Sequence, residues 1–169
     1  FLVLCDLRRR GQVGSLSMAG TVGTKFPDIR EHVKLQIGDA YRDMDVSFAS
    51  FPDDGVEHDP QAYLRAMDAL DAGDVAIVFT PDDTHFEIGK AAIERGLHVL
   101  LAKPPVKTLA HHRELVDLAA QKGVLAGVEV HKRWNPIYAD AVDEARKHGD
   151  FSYFYCYMSQ PKTQLETFG

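Results

Sequence analysis

The chain has 169 residues, enough for one hydrophobic core or slightly more, and 45% of them are apolar and 26% charged, an ordinary globular balance. A net charge of −6 argues against nucleic acid or an anionic membrane surface as the main partner, and no apolar run approaches the roughly 18 residues of a membrane-spanning helix. The two cysteines, Cys5 and Cys156, are too far apart for metal-ligand spacing or a disulfide framework, so no metal site is expected and the expected location is reducing and cytoplasmic.

In chain order, "FLVLC" (1–5) is a continuous apolar run, read as a strand buried on both faces. The polar, glycine-rich stretch 11–25 reads as a surface loop. Its "GSLSMAG" has spaced glycines but no suitable strand before it, so it is rejected as a phosphate-binding loop. Ile29, Val33 and Ile37 recur at four-residue spacing and predict a helix over 26–41. Four more strands are expected, at 46–51, 75–80, 98–102 and 124–130. Helices are punctuated between them. Asp59-Pro60 opens one to about residue 72, and Thr84 with Glu87 forms a capping box for one stopping at Gly96. Thr108 opens a helix ending at Gly123, and Asn135-Pro136 opens one ending near Gly149. This strand–helix alternation demands a parallel sheet. From residue 151 the aromatic alternation of "FSYFYCYMS" suits an antiparallel strand, which places a domain change within 131–150. The chain opens at once in apparent strand, without an initiating methionine, and closes in a strand and loop, so it reads as a fragment of a longer protein.

Ligands of open parallel sheets bind beyond the carboxyl ends of the strands. Four of the expected strands end on polar or rigid groups: Asp6 before "LRRR", Thr80-Pro81-Asp82, Lys103-Pro104-Pro105, and "EVHKRWNP". Asp6 can accept hydrogen bonds from an adenosine ribose or serve as a cap, while Arg8, Arg9 and Arg10 can bind a 2′-phosphate or remain a solvated basic run. Asp6 favours NAD and the arginines favour NADP, so both cofactors stay open. No G-x-G-x-x-G follows a strand in this sequence, and such a loop is expected upstream of Phe1.

"FTPDDTHFEIGKAAIERGLHVLLAKP" (79–104) resembles the pattern T-P-x-x-x-H, A-x-x-x-G-x-H-V, E-K-P of the glucose–fructose oxidoreductase/inositol dehydrogenase/MocA family of NAD(P)-dependent sugar oxidoreductases. Thr80, Pro81, His85, Ala92, Gly96, His98, Val99, Lys103 and Pro104 fall in place, as do Lys132, Arg133, Trp134 and Pro136 in the next motif. "TKFPDIREH", "FTPDDTHF", "EVHKRWNPIYADA" and "GDFSYFYCYMSQPKTQLETF" are similar to the D-galacturonate reductase branch of that family. The chain departs from the pattern at Ala102, where the family has an acid before the lysine, and the family's later Asp-x-x-x-His catalytic motif, with its proton-donating histidine, is expected beyond Gly169.

The resemblance implies an α/β fold: a partial NAD(P)-binding Rossmann domain over 1–134, and over 135–169 the start of a C-terminal substrate domain with an open antiparallel sheet, through which the whole protein would pair as a homo-oligomer. It implies an NAD(P)H-dependent oxidoreductase reducing a sugar carbonyl, D-galacturonate first. The alternatives are a sugar or inositol dehydrogenase of the same family and a non-catalytic dinucleotide-binding sensor. The fragment alone is expected to be inactive. Lys103 would be the catalytic cation beside the nicotinamide. Asp6, Arg8, Arg9, Thr80, Pro81, His85, Lys103, Pro104 and Arg133 would bind the cofactor, and Lys103, His131 and Arg133 the sugar or uronate. His85 and Thr80-Pro81 also have plain packing and turn readings, Trp134 suits core packing, and Gln160 and Lys162 are weaker substrate candidates.

Overall fold

The structure is a computed structural model that describes residues 1–42, 44–157 and 159. Gln160 and Lys162 lie outside the described residues. The chain divides into two units, Phe1–Glu129 and a second from Val130 onward.

The first element is a helix, α1 (Leu2–Arg9), where the apolar run suggested a strand. A short apolar run fits either period, and what decides here is the polar residue that follows it. Asp6 pairs with Arg9 at i,i+3 and Arg10 at i,i+4, spacings that meet only on a helix. Cys5 is buried while Val3 is 69% exposed, so the run has one covered face and not two. Burial pushes the Cys5 thiol up from its ordinary range, with the nearby Arg8 charge opposing. Since the thiolate is the reactive form, a thiol reagent is expected to label exposed Cys156 quickly and Cys5 only after unfolding. Two equally fast thiols in the native protein would contradict that burial.

The expected loop at 11–25 holds β1 (Ser17–Ala19) and a single 3-10 turn, Gly23–Lys25. β1 pairs in parallel with β2 (Ala49–Phe51), a strand half the length predicted. Between them, α2 (Phe26–Val33) passes into a π-helical turn over Lys34–Gly38, with Ile29 and Ile37 half-buried and Val33 buried along the predicted stripe. Arg30 ties this helix to the β2 end, reaching Asp54 at 2.6 Å and Ser50 at 2.6 Å and lying 5.5 Å over the Phe48 ring. Helix α3 (Ala62–Asp68) starts later than Asp59-Pro60 suggested, because the Asp59 carboxylate accepts from Gln61 N and forms a turn ahead of the helix.

The second sheet is β3 (Val75–Val78), β4 (His98–Leu101) and β5 (Ala126–Val128), all parallel and in that order. Helices α4 (His85–Glu94) and α5 (Leu109–Lys122) cover one face of it. Ala76, Val78, Val99 and Leu101 point into that layer against Ile88, Ala92, Ile93, Leu115 and Ala119, all buried. Each fully buried valine, leucine or isoleucine among them is worth about 1.5–3 kcal/mol. Gly96 ends α4 at φ +76°, a conformation that a side chain would strain. Gly89 lets α4 lie close to β4, since a methyl there would stand 3.3 Å from Leu101.

The second unit opens with a 3-10 turn, His131–Trp134, and α6 (Pro136–Lys147), capped by Asn135 as predicted. Trp134, expected in a core, is 80% exposed. Residues 151–157 form no strand and expose their aromatic rings, so the antiparallel strand expected there is absent among the described residues. A strand needs a partner edge, and no strand of the second unit is present among those residues to supply one.

Candidate functional site

The rim is built by register. Val78 of β3 sits beside Leu101 of β4, and two residues beyond each lie Thr80 and Lys103. Backbone pairing there ends with Ala102 N donating to the Val78 carbonyl at 2.9 Å. Past that point a side chain joins the two turns. The buried His85 ring, at the start of α4, places Nε2 2.8 Å from the Thr80 carbonyl and Nδ1 2.9 Å from the Pro104 carbonyl. With no exposed surface and both nitrogens facing protein carbonyls, to one of which a single N–H donates or to both of which an imidazolium does, His85 has no atom left for a cofactor. The Lys103–Pro104 bond is cis.

Thr80 and Lys103 are exposed at this rim. The Thr84 hydroxyl lies 2.7 Å from both the Thr80 hydroxyl and the Pro81 carbonyl. The carbonyl only accepts, so it takes the single Thr84 hydrogen and the Thr80 hydroxyl donates to Thr84. Thr80 then offers a ligand lone pairs alone and selects a donor, such as a hydroxyl or an amide N–H. The Lys103 ammonium makes no hydrogen bond or ion pair among the described residues. It is unspent, at a strand end in register with the oriented Thr80 acceptor. Ala102, half-buried, has no acid to neutralise it.

Asp6, Arg8 and Arg9 are placed differently from the strand-end position the sequence suggested. They lie on α1 and are engaged with one another and with nearby carbonyls. Hydrogen bonding from Arg9, with Arg10 beside it, holds the Asp6 carboxyl below the usual carboxylate range. Arg8 donates to the carbonyls of Ser47, at 2.8 Å, and Asp45. In the second unit, His131, Lys132 and Arg133 share one 3-10 turn and are exposed, and Arg133 is unpaired among the described residues.

The sequence signals that would have exposed the real arrangement were partly present. The i,i+3 and i,i+4 spacing of Asp6, Arg9 and Arg10 marks a helix as well as a strand end. His85 was visible as a histidine in a first helical turn, but nothing local shows that its two acceptors come from turns 5 and 19 residues away.

A dinucleotide fits part of this donor set. An acceptor hydroxyl, a rigid Pro81 turn and a free cation suit the nicotinamide–ribose end, while the sequence holds no glycine-rich turn of the kind that cradles a pyrophosphate. Residues 27–130, more than half of the chain, match the GFO_IDH_MocA family, described as an oxidoreductase family with an NAD-binding Rossmann fold. The chain belongs to this family. It is 44% identical over 62 residues to the uncharacterized oxidoreductase YdgJ of Escherichia coli, covering 37% of this chain and 18% of that protein. Over 85 residues it is 35% identical to scyllo-inositol 2-dehydrogenase (NADP(+)) IolW of Bacillus subtilis, covering 50% of this chain and 23% of that protein. Over 76 residues it is 37% identical to D-glucoside 3-dehydrogenase of Escherichia coli, covering 45% and 20%. The matches thus span about a fifth of these relatives' lengths. Among solved structures, the oxidoreductase YvaA of Bacillus subtilis superposes with a TM-score of 0.51 at 26% identity, over 70% of this chain and 30% of that one. Biliverdin reductase from Synechocystis, solved with biliverdin and NADP+, shares the fold at a TM-score of 0.50 and 22% identity, over 71% of this chain and 33% of that one.

Proposed function

We propose that this chain forms the carbonyl-activating rim of an NAD(P)H-dependent reductase of a sugar, with D-galacturonate as the preferred substrate. The observation that carries the reading is the unspent Lys103 ammonium, two residues past the end of β4 and register-matched to Thr80. When bound, the reduced nicotinamide supplies a hydride to the carbonyl carbon. Lys103 donates a hydrogen bond to the carbonyl oxygen and strengthens it as negative charge develops there. A proton then reaches that oxygen from a group outside this chain, leaving an alcohol and oxidised cofactor. Thr80 orients the cofactor by accepting from it, and the Pro81 turn lines the same side. Arg133 suits a uronate carboxylate by chemistry, since a guanidinium pairs with a carboxylate through two parallel hydrogen bonds.

A second reading has its own support: two relatives are named dehydrogenases of an inositol and a glucoside. The same lysine serves that direction by stabilising the alkoxide that forms as a hydroxyl is oxidised. The deciding experiment follows NADPH and NADH consumption by the full-length protein with uronates, neutral aldoses and inosones, and reduction of NAD(P)+ with the matching alcohols. Turnover of D-galacturonate with either cofactor is the expected result. Turnover only of neutral sugars or inositols would replace the substrate. Bound cofactor without turnover across the panel would replace the enzyme with a sensor.

A further inference from the structure

The geometry points to His85 as a positioning residue that locks the Thr80-Pro81 turn to the Lys103-Pro104 turn and so fixes the backbone from which the Lys103 ammonium reaches. This rests on the role proposed for Lys103. The argument starts where the sheet stops. Beyond Ala102 N donating to the Val78 carbonyl at 2.9 Å, no backbone hydrogen bond joins β3 to β4 among the described residues. Two strands that have ceased to pair splay unless something spans them, and the two functional candidates sit just past that point. His85 spans them, with Nε2 2.8 Å from the carbonyl of Thr80 itself and Nδ1 2.9 Å from the carbonyl of the residue after Lys103.

The anchor of this bridge is stiff. His85 is the first residue of α4, whose Ile88, Ala92 and Ile93 are buried against the sheet. The adjacent Phe86 ring stacks on His111 of α5, with centroids 3.8 Å apart and planes 11° from parallel. The imidazole is wholly buried, so water cannot replace it at either carbonyl. A ring on a fixed helix, wedged between the two turns and donating to one carbonyl from a single N–H or to both as an imidazolium, holds the Lys103-Pro104 backbone and the Thr80 turn at one separation. Misplacing a reacting group by about 1 Å costs on the order of a hundredfold in rate, which sets the scale of the effect.

The test uses the full-length protein and three variants. His85→Leu fills the space and removes every polar contact of the ring with the two carbonyls, and His85→Gln keeps a donor. Leu115→Ala loosens the α5 side of the same core without touching either turn. His85→Leu is expected to lower kcat about a hundredfold with the sugar KM changed less than threefold, because Lys103 acts mainly in the transition state. His85→Gln should recover about tenfold of that loss. Leu115→Ala should lower the melting temperature and leave kcat within about twofold. Should His85→Leu fail to fold, His85→Gln decides alone, with a tenfold fall in kcat expected. Wild-type kcat in the soluble His85 variants, or a fall in kcat that follows melting temperature across all three, would overturn the proposal. Hydrogen exchange separates it from the enzymatic reading. The amides of Ala102 and Thr84 are bonded to the Val78 and Pro81 carbonyls, and removing the bridge should speed their exchange at least tenfold relative to the rest of the sheet. If the wild-type protein turns over nothing, the role of Lys103 falls, and this exchange alone decides whether His85 bridges the turns.

Discussion

Replacing Lys103 by Ala should lower kcat by at least about a hundredfold while the dissociation constant for the dinucleotide stays within about threefold. The asymmetry comes from what the ammonium does. Against a neutral carbonyl oxygen it contributes a modest hydrogen bond, and against an oxygen gaining negative charge it contributes far more, so its loss falls on the barrier and not on binding. Stability should be unaffected. Lys103 is exposed and bonded to nothing among the described residues, and surface substitutions of that kind stay within about 0.5 kcal/mol. Lys103→Arg should restore only part of the rate, because a planar guanidinium on a longer reach cannot present a point charge at the same place. Steady-state kinetics with equilibrium cofactor binding checks both. Unchanged turnover in Lys103→Ala, with normal melting, would remove the lysine from the chemistry.

The strands and helices that build the rim were legible because each carries a signal strong enough to stand alone. Val75–Val78 and His98–Leu101 are apolar runs between turn residues, and α5 is bounded by Thr108, whose hydroxyl accepts from His111 N at 3.2 Å, and by Gly123 at φ +68°. Lys103 was legible as a charge at a strand end. What stayed hidden depends on distant partners. "FLVLC" fits two periods, and the choice falls to ion pairs outside the run. β1 is three residues long, contains serine and alanine, and exists because β2 pairs with its backbone, which no side-chain pattern records. The first-unit helices also run shorter than predicted where a π turn or an Asx turn takes up their ends. The bridge made by His85 is of the same kind: one residue is visible, its acceptors are not.

Gly23 was hidden for the same reason, and its replacement by Ala should be among the most destabilising changes in the first unit. A methyl placed there would sit 2.0 Å from the Asp53 carbonyl oxygen and 3.0 Å from the Val56 carbonyl oxygen. Both obstacles are backbone, and neither is free to yield. The Asp53 carbonyl already accepts from Val56 N at 3.0 Å, and the Val56 carbonyl accepts from Gly23 N at 2.8 Å. The surrounding segments are pinned as well, with Gly20 N on the Phe51 carbonyl at 2.8 Å, Asp59 N on the Thr21 carbonyl at 2.7 Å, and Arg30 holding Asp54. The methyl therefore has to part the loops that extend β1 and β2, at a cost near the upper end of the about 1–3 kcal/mol typical of overpacking. For a unit of this size that corresponds to a fall in melting temperature of about 10 °C. Gly55→Ala is the control, since nothing lies within 4 Å of the methyl it would add. Thermal melts of the two variants should differ by most of that 10 °C. Equal melting temperatures would mean that the two loops do not approach each other at Gly23, and with that the β1–β2 arrangement itself would be in question.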